Sequence, residues 1–236
     1  MGKTAIGLNM AANIAIEKKL PAAFFSLEMS NRSLLLRLFS SEAKIDSSKF
    51  RTGFLNNKDF ANMFIAADKI GPAPLYFVDM PHMTILDIQA MARMLKTQEH
   101  VAIIFIDYIG LISSDNPNQV RYEFFSDVSK ALKGLARELD IPVVALSQLR
   151  REAEKEKRPP NLADLRESGS IEQDADMVIF IDRDRELEKT MEEQAASAGQ
   201  KVQLIVAKNR NGPTGTVNLT FLKAYTKFVP YIDDRG

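Results

Sequence analysis

The sequence predicts an α/β fold: a mostly parallel, doubly wound sheet with an antiparallel C-terminal hairpin at one edge. Three observations predict it. Apolar runs of strand length alternate with longer stretches of helical period. Most of the first five runs are continuously apolar, as strands covered on both faces require. The last two runs flank Asn211-Gly212-Pro213-Thr214-Gly215, a turn-forming segment that reads as a hairpin tip. The chain has 236 residues, 45% apolar and 26% charged, an ordinary globular composition for one large α/β domain over residues 1–236.

In chain order, strands are expected at 22–27, 75–79, 101–107, 142–147, 177–182, 202–208 and 216–222. Helical periodicity marks 4–18, 33–43, 59–70, 85–96 and 123–139. Thr84 is placed to cap the fourth of these. In the last, Phe124, Val128, Leu132, Leu135 and Leu139 fall on one stripe. Polar or charged stretches at 113–121 and 150–160 read as loops, and the acidic, Ala-rich stretch 183–200 as a surface excursion.

Composition narrows the function classes. Lys plus Arg and Asp plus Glu balance at 31 each, so any nucleic-acid contact is confined to a few loops rather than a basic face. The absence of cysteine excludes disulfides, Cys-ligated zinc and thiolate catalysis. His82 and His100 lie on separate segments, which argues against a histidine zinc site. No run reaches the roughly 20 apolar residues of a membrane helix, and the N-terminus lacks the pattern of a signal peptide. A cytoplasmic protein without membrane contact is the expectation.

Gly2-Lys3-Thr4, ahead of an apolar helix, has the form of the end of the phosphate-binding loop G-x-x-x-x-G-K-[ST]. Backbone N–H groups at a helix start favour phosphate oxygens. Lys3 would neutralise β/γ charge and the Thr4 hydroxyl would coordinate Mg2+. Alone the tripeptide says little, since chance produces it in roughly one chain of this length in ten. A second element strengthens it: Val101-Ala102-Ile103-Ile104-Phe105-Ile106-Asp107 is an apolar strand that carries a carboxylate to the C-terminal edge of a parallel sheet, where ligands bind. Asp107 would hold Mg2+ through its water shell. Glu28 and Gln148 also follow apolar runs. On adjacent parallel strands they would converge with Asp107 on the γ-phosphate of ATP, Glu28 polarising a water and Gln148 sensing the phosphate. A carboxylate at a strand end is otherwise simply solvated.

These residues belong to longer blocks: Phe25-Ser26-Leu27-Glu28-Met29-Ser30, Ile106-Asp107-Tyr108 and Ala145-Leu146-Ser147-Gln148-Leu149. Two further blocks are longer still. One is Asp164-Leu165-Arg166-Glu167-Ser168-Gly169-Ser170-Ile171-Glu172-Gln173-Asp174-Ala175-Asp176, the other Ala207-Lys208-Asn209-Arg210-Asn211-Gly212-Pro213-Thr214-Gly215. Over nearly its whole length the chain resembles the C-terminal motor domain of the DnaB-type replicative DNA helicases. The resemblance implies a RecA-like P-loop NTPase core in which Gly2, Lys3, Thr4 and Asp107 bind ATP with Mg2+. It makes Glu28 the catalytic base and Gln148 the link between nucleotide state and the DNA loops. Arg210, with Lys208 beside it, would reach the ATP of a neighbouring subunit. Arg166, Glu167 and Gly169 would grip single-stranded DNA without reading its sequence, and the 113–121 loop would face the same channel. The implied activity is ATP-dependent unwinding at replication forks by a homo-hexamer, with primase and a helicase loader as partners.

Against the family pattern, only Met1 precedes Gly2. The start of the phosphate loop, the strand before it, the linker helix and the N-terminal domain are therefore expected to be missing. The expectation is a fragment with little or no turnover that is monomeric or weakly associated. Two other readings share some of these residues: a RecA-like recombinase or regulatory ATPase, and a non-catalytic docking module for a loader or primase.

Overall fold

Five consecutive buried residues, Ala22–Ser26, form the centre of the molecule as strand β1. The computed structural model describes residues 2–116, 118–150, 156, 158–165, 169–183 and 199–232. Strand β1 pairs in parallel with β2 (Leu75–Val78) on one side and β3 (Ile103–Asp107) on the other, and β3 pairs in parallel with β4 (Val143–Ala145), giving the order β2-β1-β3-β4. Both faces are covered, which is why these runs are continuously apolar: successive side chains point to opposite sides and both sides are core. Phe25, Ile104 and Ile106 pack with Ile88, Ala92, Val128 and Leu132, while Phe24 and Phe105 pack with Leu8, Ala11 and Leu34. The Phe24 and Phe105 rings stack at 6.0 Å.

The covering helices are α1 (Lys3–Ala12, continuing as a π turn over Asn13–Glu17), α2 (Asn31–Ala43), α3 (Ser47–Thr52), α4 (Asn57–Ile70), α5 (Ile85–Glu99) and α6 (Arg121–Leu139). A short α7 (Gly169–Asp174) follows later. Thr84 caps α5 as expected. Its hydroxyl accepts from the Asp87 N–H at 3.3 Å, and the Asp87 carboxylate returns the bond to the Thr84 N–H at 2.9 Å. On α6 the buried residues are Phe125, Val128, Leu132 and Leu135, with Phe124 and Leu139 half-buried at the margins.

The antiparallel part is larger than a hairpin. Strand β6 (Gln200–Asn209) pairs with β7 (Gly215–Leu222) around the expected tip, but β5 (Met177–Arg183) and β8 (Lys227–Pro230) join them. Together they form a second four-stranded sheet, β5-β6-β7-β8, instead of extending an edge of the first. The 177–182 run reads like the parallel strands before it, yet Val178 and Phe180 are buried while Met177 and Ile179 are half exposed. Only one of its faces is core, as suits an antiparallel strand.

Helix α1 packs on both sheets. Leu8 and Ala11 meet Phe24 and Phe105 of the first, and Ala5 meets Val202 and Phe221 of the second. Near-contact at Gly7 shows how close the approach is, since a Cβ there would lie 3.1 Å from a Leu146 methyl. Most of the expected loop at 150–160 and nearly all of the 183–200 excursion lie outside the described residues. No helix among the described residues is long and apolar enough to cross a membrane.

Candidate active site

The parallel register brings three strand ends to one rim. Ser26 sits opposite Asp107, and the Leu27 N–H donates to the Asp107 carbonyl at 2.8 Å. Ile106 sits opposite Ala145, the Leu146 N–H donates to the Ile106 carbonyl at 3.0 Å, and the Ile109 N–H donates to the Leu146 carbonyl at 3.0 Å. Glu28, Asp107 and Gln148 therefore leave β1, β3 and β4 at the same, C-terminal edge.

Helix α1 begins at this rim. Gly2 has φ 106° and opens the helix in the left-handed region that a side chain would disfavour, with its carbonyl accepting from the Ile6 N–H at 2.9 Å. Lys3 and Thr4 follow in the first turn, where backbone N–H groups and the helix dipole favour an anion.

Electrostatics tie these groups together. Asp107 is fully buried, and burial pushes its carboxyl above the ordinary carboxylate range; the charge of Glu28 pushes in the same direction. The Thr4 hydroxyl and the cations Lys3 and Arg37 pull the other way. Lys3, Thr4, Glu28 and Arg37 thus all act on Asp107. Neither Asp107 oxygen reaches hydrogen-bond geometry with a donor among the described residues. Such a pair of buried, undonated carboxylate oxygens suits a hydrated divalent cation, whose waters would supply the missing donors. Thr4 and Asp107 are the residues that would hold it.

Gln148 lines a small cleft with Tyr108, Arg121, Phe125 and Ile171. Lys3 places its ammonium over the Tyr108 ring, 4.3 Å from the centroid. Two participants were not singled out from the sequence. Arg37 belongs to no motif, and only its place on α2, two helical turns after the Ser30 cap and on the side of Ser33, offered a clue. Tyr108 stood within a quoted motif, but nothing in the sequence said that its ring would meet Lys3.

The remaining candidates lie elsewhere. Arg210 follows β6, donates through its backbone N–H to the Asp176 carbonyl at 2.9 Å, and places its guanidinium on the Gln173 carbonyl and 3.5 Å from the Asp176 carboxylate. The Lys208 ammonium sits on the Glu172 and Gln173 carbonyls at the end of α7. The main charges acting on Asp107 are those of Glu28, Lys3 and Arg37. Arg166 and Glu167 lie outside the described residues, and Gly169 is the first residue of α7. Close to these in sequence, Asp164 takes two bonds from Arg158, at 2.6 and 2.7 Å, which hold its carboxyl down at about 2.

The family model of the DnaB-like helicase C-terminal domain matches residues 1–230. The chain is 52% identical over 229 residues to the replicative DNA helicase DnaB of Treponema pallidum (strain Nichols), covering 97% of this chain and 49% of that protein. It is 42% identical over 231 residues to DnaB of Geobacillus stearothermophilus, covering 97% and 50%. A solved DnaB-like replicative helicase, described with its interactions with primase, superposes with a TM-score of 0.86 at 34% identity, over 98% of this chain and 55% of that one. The chain spans about half the length of the curated relatives it matches.

Proposed function

The chain belongs to the DnaB-like helicase C-terminal domain family, and from that premise we propose that it is the motor that drives ATP-dependent unwinding of duplex DNA at replication forks, moving along single-stranded DNA as part of a six-membered ring. The observation that carries this is the meeting of Lys3, Thr4, Glu28 and Asp107 at one sheet edge and helix start. Lys3 and the first-turn N–H groups bind the β/γ-phosphates, and Glu28 orients and deprotonates the attacking water. Thr4 and Asp107 would hold Mg2+, which would supply positive charge against the phosphate oxygens. Gln148 reports the γ-phosphate to the cleft beside α6. Arg210 and Lys208, held away from the Asp107 cluster in their own chain, act on the nucleotide of the next subunit. Arg166, Glu167 and Gly169 hold the DNA backbone. The primase of the structural relative and a helicase loader are the partners this reading expects.

The test is complementation. Lys3→Ala and Arg210→Ala, each placed in the protein that carries this chain, should each lose DNA-stimulated ATP hydrolysis. A mixture of the two should recover part of it, because a ring then contains interfaces with an intact Lys3 and an intact Arg210 facing each other. Recovery nowhere across the mixing ratios would remove the trans assignment. Full turnover by Lys3→Ala alone would remove the ATPase reading itself.

A further inference from the structure

The Tyr108 ring follows directly on the buried carboxylate of Asp107 and carries the Lys3 ammonium on its face. Glycine at residue 110 leaves room for the ring in that position. A Cβ there would lie 2.6 Å from Tyr108 Cε2 and 3.1 Å from Cδ2. Gly110 lies outside the left-handed backbone region, so its contribution is room for the ring, not conformational freedom. The ring also lines the cleft that contains Gln148 and Arg121. Tyr108 therefore stands between the phosphate-binding lysine and the residue proposed to read the γ-phosphate.

An ammonium over an aromatic face is attracted by the ring quadrupole, more strongly where water is excluded. From this geometry we infer that Tyr108 is a positioning residue for Lys3. Its ring holds the ammonium before nucleotide arrives and competes with the β/γ-phosphates for it, so the ring weakens the binding of product nucleotide and hastens its release. The inference rests on the phosphate-site reading above. Tyr108 touches no reacting atom; it sets how readily Lys3 is given up to phosphate and regained afterwards.

Two measurements on the full chain test it. In the nucleotide-free protein labelled with 13C-lysine, the ε-methylene resonance of Lys3 should be shifted upfield by the ring in wild type and in Tyr108→Phe, and should return to the ordinary position in Tyr108→Leu. An unshifted Lys3 in wild type overturns the proposal. With the fluorescent nucleotide N-methylanthraniloyl-ADP and Mg2+, Tyr108→Leu should tighten binding about five- to thirtyfold, the range of a partly to fully desolvated cation–π contact. The change should appear as slower release. Tyr108→Phe should retain wild-type affinity, and Gly110→Ala, which displaces the ring without deleting it, should move affinity in the direction of Tyr108→Leu.

In a Lys3→Ala background, Tyr108→Leu should have no further effect. Equal effects with and without Lys3, or weaker binding by Tyr108→Leu, would overturn the role assigned to the ring. Lys3→Ala with unaltered nucleotide affinity would instead overturn the phosphate-site reading, which keeps the two failures apart.

Discussion

Asp107 carries a penalty that the Thr4 hydroxyl and the cations Lys3 and Arg37 relieve only in part. Its carboxylate is buried and lies near the negative charge of Glu28, and neither of its oxygens reaches hydrogen-bond geometry with a donor among the described residues. For an acid whose folded pKa lies above its ordinary value of 3.8, the stability it contributes is fully present below that value and lost as pH rises through the folded pKa. Asp107→Asn removes the ionisation. The nucleotide-free variant should therefore melt higher than wild type at neutral pH, with a gap that closes as pH falls toward 3.8. Thermal denaturation across that range measures it, and a variant that melts lower at neutral pH would contradict the account. The same substitution should abolish Mg2+-dependent hydrolysis, the usual trade of stability for function at a site built to hold charge. What the sequence disclosed about this site followed strand ends. Glu28, Asp107 and Gln148 were legible because parallel strands deliver their last residues to one edge. Arg37 and Tyr108 were not, because they arrive by helix packing and ring orientation, which no local pattern encodes.

At the scale of elements, legibility depended on whether a signal was local. The Thr84–Asp87 capping box sits within four residues and marks the start of α5 in the sequence itself. Truncating it by Thr84→Ala should lower stability by about 1 kcal/mol, measured by urea unfolding, while leaving the β1–β3 core intact. A loss of several times that size would contradict the assignment of the Thr84 side chain to capping alone. Strand β5 was misplaced for the opposite reason. Met177–Arg183 is apolar enough to be a buried parallel strand, and only its partners decide that one face is open. Strand β8 went unseen because it is four residues long and ends in proline. It exists because Leu219 to Leu222 of β7 offer it an edge and because Thr226, at φ 50°, turns the chain onto that edge.

At the scale of the whole molecule, α1 joins two sheets that share no strand pairing among the described residues. Besides the apolar contacts of Ala5, Leu8 and Ala11, Asn9 of α1 adds a polar link. The Asn9 amide nitrogen donates to the Thr226 carbonyl at 3.3 Å, and its oxygen accepts from the Phe228 N–H at 2.7 Å. Asn9 is itself buried, so Asn9→Ala leaves the carbonyl of the turn before β8 and an amide of β8 without these partners, at a cost of about 1–3 kcal/mol. The consequence should be local. Amides of β6, β7 and β8 should exchange with deuterium faster, those of β1 and β3 should keep their protection, and hydrogen exchange read by mass spectrometry would resolve the two. Because the helix that begins with Lys3 also holds the sheet that carries Lys208 and Arg210, this loosening should uncouple the proposed phosphate site from the proposed trans cation. DNA-stimulated hydrolysis should then fall more than nucleotide affinity does. Equal acceleration of exchange in both sheets would instead mean that they open as one cooperative unit, and that α1 is an ordinary member of a single core and not the joint between two.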